Sequence, residues 1–288
     1  MKACTYCGRD NEESSEFCRE CGTSLPTLGG IEEHPPAADD QSLTAGRVTV
    51  VFILFLVAQG LVGAVVTSAA VAIAAEHQAD LRKSDEVARI VRRVLAPVVT
   101  ISFGCGGVAM VAISVALARP HLRDRSPIGA AWVPGSPKAI GQGLVVGIVT
   151  GALFCALTIA LPSRHAETTL DAVAKMAVTP GLSQILWLGM AIILAPLIEE
   201  LLFRGILYGG YRKSFGALWA GVTTTLLFVL LHITQFVDYW PAMLGITALA
   251  MTALALRLRS AAIGPAIAVH FGYNAVIAAR VIYVTVFR

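Results

Sequence analysis

The sequence predicts an all-α polytopic membrane protein of about seven transmembrane helices, with a small N-terminal zinc ribbon. Three observations carry that expectation. Of the 288 residues, 56% are hydrophobic and only 14% charged, where an ordinary soluble domain carries roughly 25% charged residues. Several uninterrupted apolar stretches reach the ~20 residues that a helix needs to cross a bilayer. The first 46 residues, by contrast, are polar and rich in cysteine. The net charge of +3 is too small to point to nucleic acid, so none is expected as a partner.

Residues 1–24 read as the ribbon. Cys4-x-x-Cys7-Gly8 is answered by Cys18-x-x-Cys21-Gly22. Two such pairs suit a structural Zn²⁺ held tetrahedrally by Cys4, Cys7, Cys18 and Cys21, and each glycine permits the tight knuckle around the metal. Two disulfides in an exported tail are the other reading. A unit of ~20 residues cannot bury enough core to fold alone, so the metal would supply its folding energy. Reduced thiolates imply the cytosolic side. Four cysteines leave no open position on the metal, so the ribbon is expected to dock a protein partner rather than do chemistry. Cys105 and Cys155 read as small hydrophobes inside spans. Residues 25–46 carry Pro, Gly, Ala and acids without an apolar period and read as a flexible linker. No secretory signal is expected ahead of the first span.

Residues 47–178 are expected to hold the N-terminal transmembrane helices and 179–288 a second membrane unit. Seven spans are read at 48–75, 94–118, 139–161, 183–211, 216–236, 241–256 and 262–287. With the N-terminus inside, the inner loops hold Arg119, Arg123, Arg125, Lys138, Arg212, Lys213, Arg257 and Arg259. The positive-inside bias favours that orientation, and a cell membrane location with a cytoplasmic ribbon. The first loop, with five basic residues at 76–93, runs against it.

Among the acidic residues, Glu199 and Glu200 alone fall in these spans. An ionisable side chain at membrane depth is a functional-site hypothesis by default. Glu200 and Arg204 are four apart and share a helix face, so they can pair. Glu199 is turned about 100° away and is left to face something else, as suits a general acid or base. His232 follows Phe228 by four residues in the next apolar span, and Asn274 follows His270 by four in the last. Counted from the basic ends of their spans, Glu199 lies about 20 Å deep, His232 about 25 Å, and His270 and Asn274 about 15 and 21 Å. Successive antiparallel helices thus deliver these groups to one layer. Pro196 is expected to kink the helix just before Glu199.

Glu-Glu-x-x-x-Arg, Phe-x-x-x-His and His-x-x-x-Asn, in that order on successive apolar segments, resemble the CPBP family. That family comprises CAAX prenyl endopeptidases and bacteriocin-processing or immunity (Abi) proteins. The resemblance covers about residues 180–280. It implies an intramembrane endopeptidase in which Glu199 polarises a water together with His232. Glu200 and Arg204 would hold the first motif in place, and His270 and Asn274 would stabilise the tetrahedral oxyanion. The residues alone support the same chemistry, since a water activated by carboxylate and imidazole can attack an amide and such donors can hold the developing charge. The substrate implied is a membrane-embedded or lipidated peptide or protein. Glu199, His232 and His270 also form a possible His₂Glu zinc set, and equally a complete metal-free set. No His-Glu-x-x-His, Gly-x-Gly-Asp or Gly-x-Ser-x-Gly pattern points to another protease class. The competing reading is a non-catalytic membrane scaffold or immunity-type protein whose polar cluster fixes helix contacts and whose ribbon recruits a partner.

Overall fold

The computed structural model describes residues 1–4, 9–20, 25, 43–76, 101–114, 116, 122–126, 128–161, 182–236 and 239–287. Cys7, Cys21, most of the linker, the first loop and the start of the second expected span lie outside them. In the head, strands β1 (Lys2–Ala3) and β2 (Asp10–Asn11) pair antiparallel, with Lys2 opposite Asn11. Cys4, Cys18 and Leu25 are buried together, and Asn11 Nδ2 donates to Cys18 Sγ at 3.5 Å. Leu25, expected in the linker, therefore closes the small core of the head, and its N–H donates to Glu16 O at 2.8 Å.

Beyond the head, the elements among the described residues are helices: α1 (Ala45–Glu76), α2 (Ile101–Ser114), α3 (Pro137–Ala160), α4 (Leu182–Gly189), α5 (Ala195–Glu200), α6 (Tyr208–Leu231), α7 (Ile233–Phe236), α8 (Pro241–Ser260) and α9 (Gly264–Phe287). Among the described residues, five stretches are long and apolar enough to cross a membrane: Ala45–Val65, Pro137–Ala160, Gln184–Leu231, Pro241–Ser260 and Gly264–Val284. Helices apolar all round belong inside protein or lipid. Val145, Leu153, Leu218, Leu226 and Met251 are each more than half exposed, an outward face that lipid covers and water would not tolerate. The chain is a multi-pass membrane protein.

Gln184–Leu231 spans 48 residues, far more than the ~20 of one crossing. It folds back at Gly216, where φ is 81° and ψ 173°, a backbone region open to glycine at little cost. Glu199 and His232 stand on either side of that bend at nearly equal distance along the chain, and their side chains come within 3.8 Å. Two antiparallel arms hinged at Gly216 satisfy both facts. The fifth expected span therefore ends at Leu231 rather than 236, because His232 leaves helical geometry with φ −99° and ψ 14°.

The first arm is not a plain α-helix. Met190–Leu194 and Leu201–Leu207 are π-helical and flank α5. Ala195 N–H donates to Met190 O, five residues back, and Pro196 has no N–H to continue the ladder. The expected kink at Pro196 thus takes the form of a π-segment just before it.

Helix α9 packs most closely on α3. Gly143, Gly147 and Gly151 are the buried residues of α3. A Cβ on Gly147 would meet the carbonyl oxygen of Val269, one on Gly143 that of Pro265, and one on Gly151 would stand 3.0 Å from Tyr273 O. Reciprocally, a Cβ on Gly272 of α9 would lie 2.8 Å from Leu144 O. Small residues at four-residue spacing let the two backbones touch, as in other membrane helix pairs.

Ahead of α3, residues 122–126 and 128–136 fold over the ends of α8 and α9. Ile263 N–H donates to Ala131 O at 3.0 Å. Arg125 Nε donates to Ala261 O at 3.0 Å and its Nη2 to Ser260 O at 3.3 Å, where Ala261 turns the chain with φ 47°. Helix α8 runs to Ser260, past the expected end at 256. Arg257, expected as a loop charge, is consequently inside the helix and 1% exposed; its Nη2 donates to Gly129 O at 2.9 Å.

Candidate active site

Five of the six expected site residues form one buried cluster. Glu199 and Glu200 end α5, Arg204 lies in the π-segment after it, His232 follows α6, and His270 sits on α9. Glu200 Oε1 is the hub. Arg204 Nη1 donates to it at 3.1 Å and His270 Nδ1 at 2.8 Å. A carboxylate oxygen only accepts, so this bond fixes the Nδ1–H form of His270 and leaves Nε2 to face the site. Arg204 is also tied to Phe228, its guanidinium carbon 4.2 Å above the ring centroid. Charge pairing and the ring face together make a buried guanidinium tolerable.

His232 is fixed in the same way by a neutral partner. Its Nδ1 donates to Phe228 O at 2.8 Å, which again leaves Nε2 free to face inward. Glu199 Oε2 lies 3.8 Å from His232 Nε2 and 3.9 Å from His270 Nε2. Three acceptor atoms thus converge with no donor between them, and Glu199 Oε2 is buried without a hydrogen-bond partner. Gaps of this size are bridged by a water. The side chain of His232 is 18% exposed and that of Glu199 7%, while His270 shows 4% and Glu200 none. Access to the cluster is on the His232 side.

Asn274 does not join the cluster through its described hydrogen bond. Its Nδ2 donates to Ala191 O at 2.7 Å, a backbone atom of the first π-segment. The residue that sequence reasoning used only as a motif flank is Phe228. Its carbonyl orients His232, and its ring touches His232 (4.7 Å between centroids), His270 (5.9 Å) and Phe203 (5.1 Å). Helix α9 starts at Gly264, so His270 is about 9 Å from its start. That is shallower than the count from Ser260 gave, and places the cluster toward the basic end that holds Arg125 and Arg257.

Two imidazole nitrogens and a carboxylate are a known zinc donor set, but ligands on one tetrahedral zinc stand about 3.3 Å apart given its 2.0–2.2 Å bonds. The spacing around Glu199 is wider. Among the described residues no group of three or more His, Cys, Asp or Glu side chains is arranged to hold a metal ion. The donors as placed suit a water better than a zinc first shell.

Fold and site define a multi-pass membrane protein with a carboxylate–imidazole centre buried among its helices. Residues 181–276, about a third of the chain, match the model of a family described as type II CAAX prenyl endopeptidase Rce1-like. The match takes in all six expected site residues and supports a relation to the CAAX-type intramembrane protease family over this segment. No curated protein and no solved structure matches the chain.

Proposed function

We propose that the protein is an intramembrane endopeptidase of the CAAX-protease type that hydrolyses a peptide bond in a membrane-associated or lipidated peptide or protein. The observation that carries this reading is Glu199 Oε2 held between two imidazole Nε2 atoms at 3.8 and 3.9 Å. A water there donates one hydrogen to Glu199 and the other to His232. Glu199 takes a proton as the water oxygen attacks the amide carbon, and returns it to the departing amine as the C–N bond breaks. His270, its Nδ1–H held by Glu200, accepts at Nε2 while neutral; a second proton taken up from solvent turns Nε2 into a donor to the tetrahedral oxygen. Glu200, Arg204 and Phe228 keep this geometry. No step runs through a metal.

The same proposal includes seven crossings: α1, the span containing α2, α3, the two arms on either side of Gly216, α8 and α9. Residues 1–24 act as a zinc ribbon on Cys4, Cys7, Cys18 and Cys21, joined by the linker 25–46 to the N-terminal helices (47–178) and the catalytic core (179–288). The ribbon lies on the cytoplasmic side and docks a protein partner. Burial of Cys4 beside Cys18 favours it.

The test is cleavage of a membrane-peptide library by purified protein in detergent, wild type beside Glu199→Gln, with zinc per chain read in parallel. Loss of cleavage by at least about 10²-fold in the variant, with about one zinc retained by both forms as four thiolates bind one ion, is the expected result. A second zinc that disappears in the variant replaces the metal-free mechanism with a metal at Glu199. Equal cleavage by both forms sinks the proposal and leaves the scaffold reading.

A further inference from the structure

Pro196 leaves a carbonyl without a donor three residues before the Glu-Glu pair. In the π-segment Met190–Leu194 the N–H of Ala195 goes to Met190 O, so it does not serve Ala191 O. The next donor in the π pattern belongs to residue 196, and proline has none. A carbonyl that lacks a partner within a membrane-spanning segment is strongly disfavoured, because lipid offers no donor. The partner is supplied from another helix: Asn274 Nδ2 stands 2.7 Å from Ala191 O. Only the amide nitrogen can face a carbonyl, so this contact fixes the orientation of the Asn274 side chain. Asn274 lies one turn beyond His270 on α9, and α9 is clamped to α3 through Gly147 and Gly272.

We propose that Asn274 is a positioning residue: it closes the backbone gap made by Pro196 and so sets the arm that carries Glu199 in register with the helix that carries His270. The tie links two segments that each hold one side of the water site. Its part in turnover rests on the hydrolase reading; the tie itself does not.

The test is a cycle of Pro196→Ala, Asn274→Ala and the double variant. Hydrogen exchange is followed over residues 188–197, with kcat and KM for a peptide that the wild type cleaves. Asn274→Ala alone is expected to speed exchange in this segment about tenfold or more, as loss of a part-buried hydrogen bond in a membrane-spanning segment implies, and to lower kcat with little change in KM. In the Pro196→Ala background the new N–H restores an internal donor, whether the segment stays π or relaxes to α. Asn274→Ala should then change exchange by less than about threefold, since one unpaired group has been removed from the balance. Equal effects in both backgrounds overturn the proposal, as does unchanged exchange in Asn274→Ala. Asn274→Leu, of similar size and with no donor, replaces Asn274→Ala if the latter does not fold. If Glu199→Gln shows no loss of cleavage, the hydrolase reading fails on its own, and the exchange cycle still decides the tie.

Discussion

Helix α9 is held by two neighbours on opposite principles. Toward α3 the contact is mainly backbone against backbone, made by Gly143, Gly147, Gly151 and Gly272, with a single charge near its far end, where Arg280 Nη1 donates to Cys155 O at 2.7 Å. Toward α5 the contact is His270 on Glu200, with Arg204 and Glu199 beside it. The first side satisfies its atoms by close fit. The second leaves Glu199 Oε2, Glu200 Oε2 and Arg204 Nη2 buried without hydrogen-bond partners among the described residues. Sites that do chemistry commonly break a local rule and rely on the surrounding structure to hold them. Here the glycine contact is the frame, and the polar contact is what the frame holds in place.

The contrast is open to attack from either side. The largest effect is expected from Gly147→Leu, because a Cβ alone already meets Val269 O. Overpacking there should destabilise by more than about 3 kcal/mol and abolish the monodisperse folded species in size-exclusion chromatography; a folded, active variant would refute the frame. Next is Arg204→Met, which strands Glu200 as an unpaired buried charge and should cost about 3–5 kcal/mol in a thermal-melt comparison. Adding Glu200→Leu should return most of that stability but not activity, since His270 then has no acceptor to orient it; turnover should stay about 10–100-fold down. Recovery of both together would mean that the pair serves only to stabilise. Phe228→Leu, which removes the ring under Arg204, should lower stability by about 1–2 kcal/mol and reduce turnover several-fold without unfolding. The smallest effect belongs to Arg125→Ala at the exposed end of α8, expected within about 0.5 kcal/mol by denaturation; a larger loss would extend the frame to residues 122–136.

The sequence exposed the parts of this site whose logic is local. Glu200 and Arg204 share a helix face by spacing alone, and they pair at 3.1 Å. Two acids inside an apolar run stand out against their surroundings whatever the fold. Other features were not legible because they depend on backbone hydrogen bonding. A π-segment adds one residue to a turn without altering hydropathy, so Met190–Leu194 looks like any apolar helix. The partner of Asn274 is a carbonyl, which no residue type announces; Pro196 is the available clue, and from sequence it predicts only a kink. Span ends misled in a different way. Arg257 and Arg259 looked like a loop because charge usually marks one, yet α8 continues to Ser260 since Arg257 finds Gly129 O inside the protein. The glycines of α3 were visible at four-residue spacing. Their meaning depended on which helix lay opposite, and that is a long-range fact.

The bend at Gly216 has a consequence for how this chain can vary. Glu199 and His232 meet because the two arms are matched in length, like the legs of a pair of dividers. One residue inserted between 201 and 215 would slide Glu199 about 1.5 Å along its arm and swing it about 100° around the axis, away from both imidazoles. An insertion in the other arm would displace His232 instead, while His270 stayed put on its separate helix. Length changes should therefore be tolerated in turns outside this stretch, but in the two arms between positions 199 and 232 they should be disruptive even where every new side chain is apolar. In this stretch the expected cost of a change in spacing exceeds that of a change in composition.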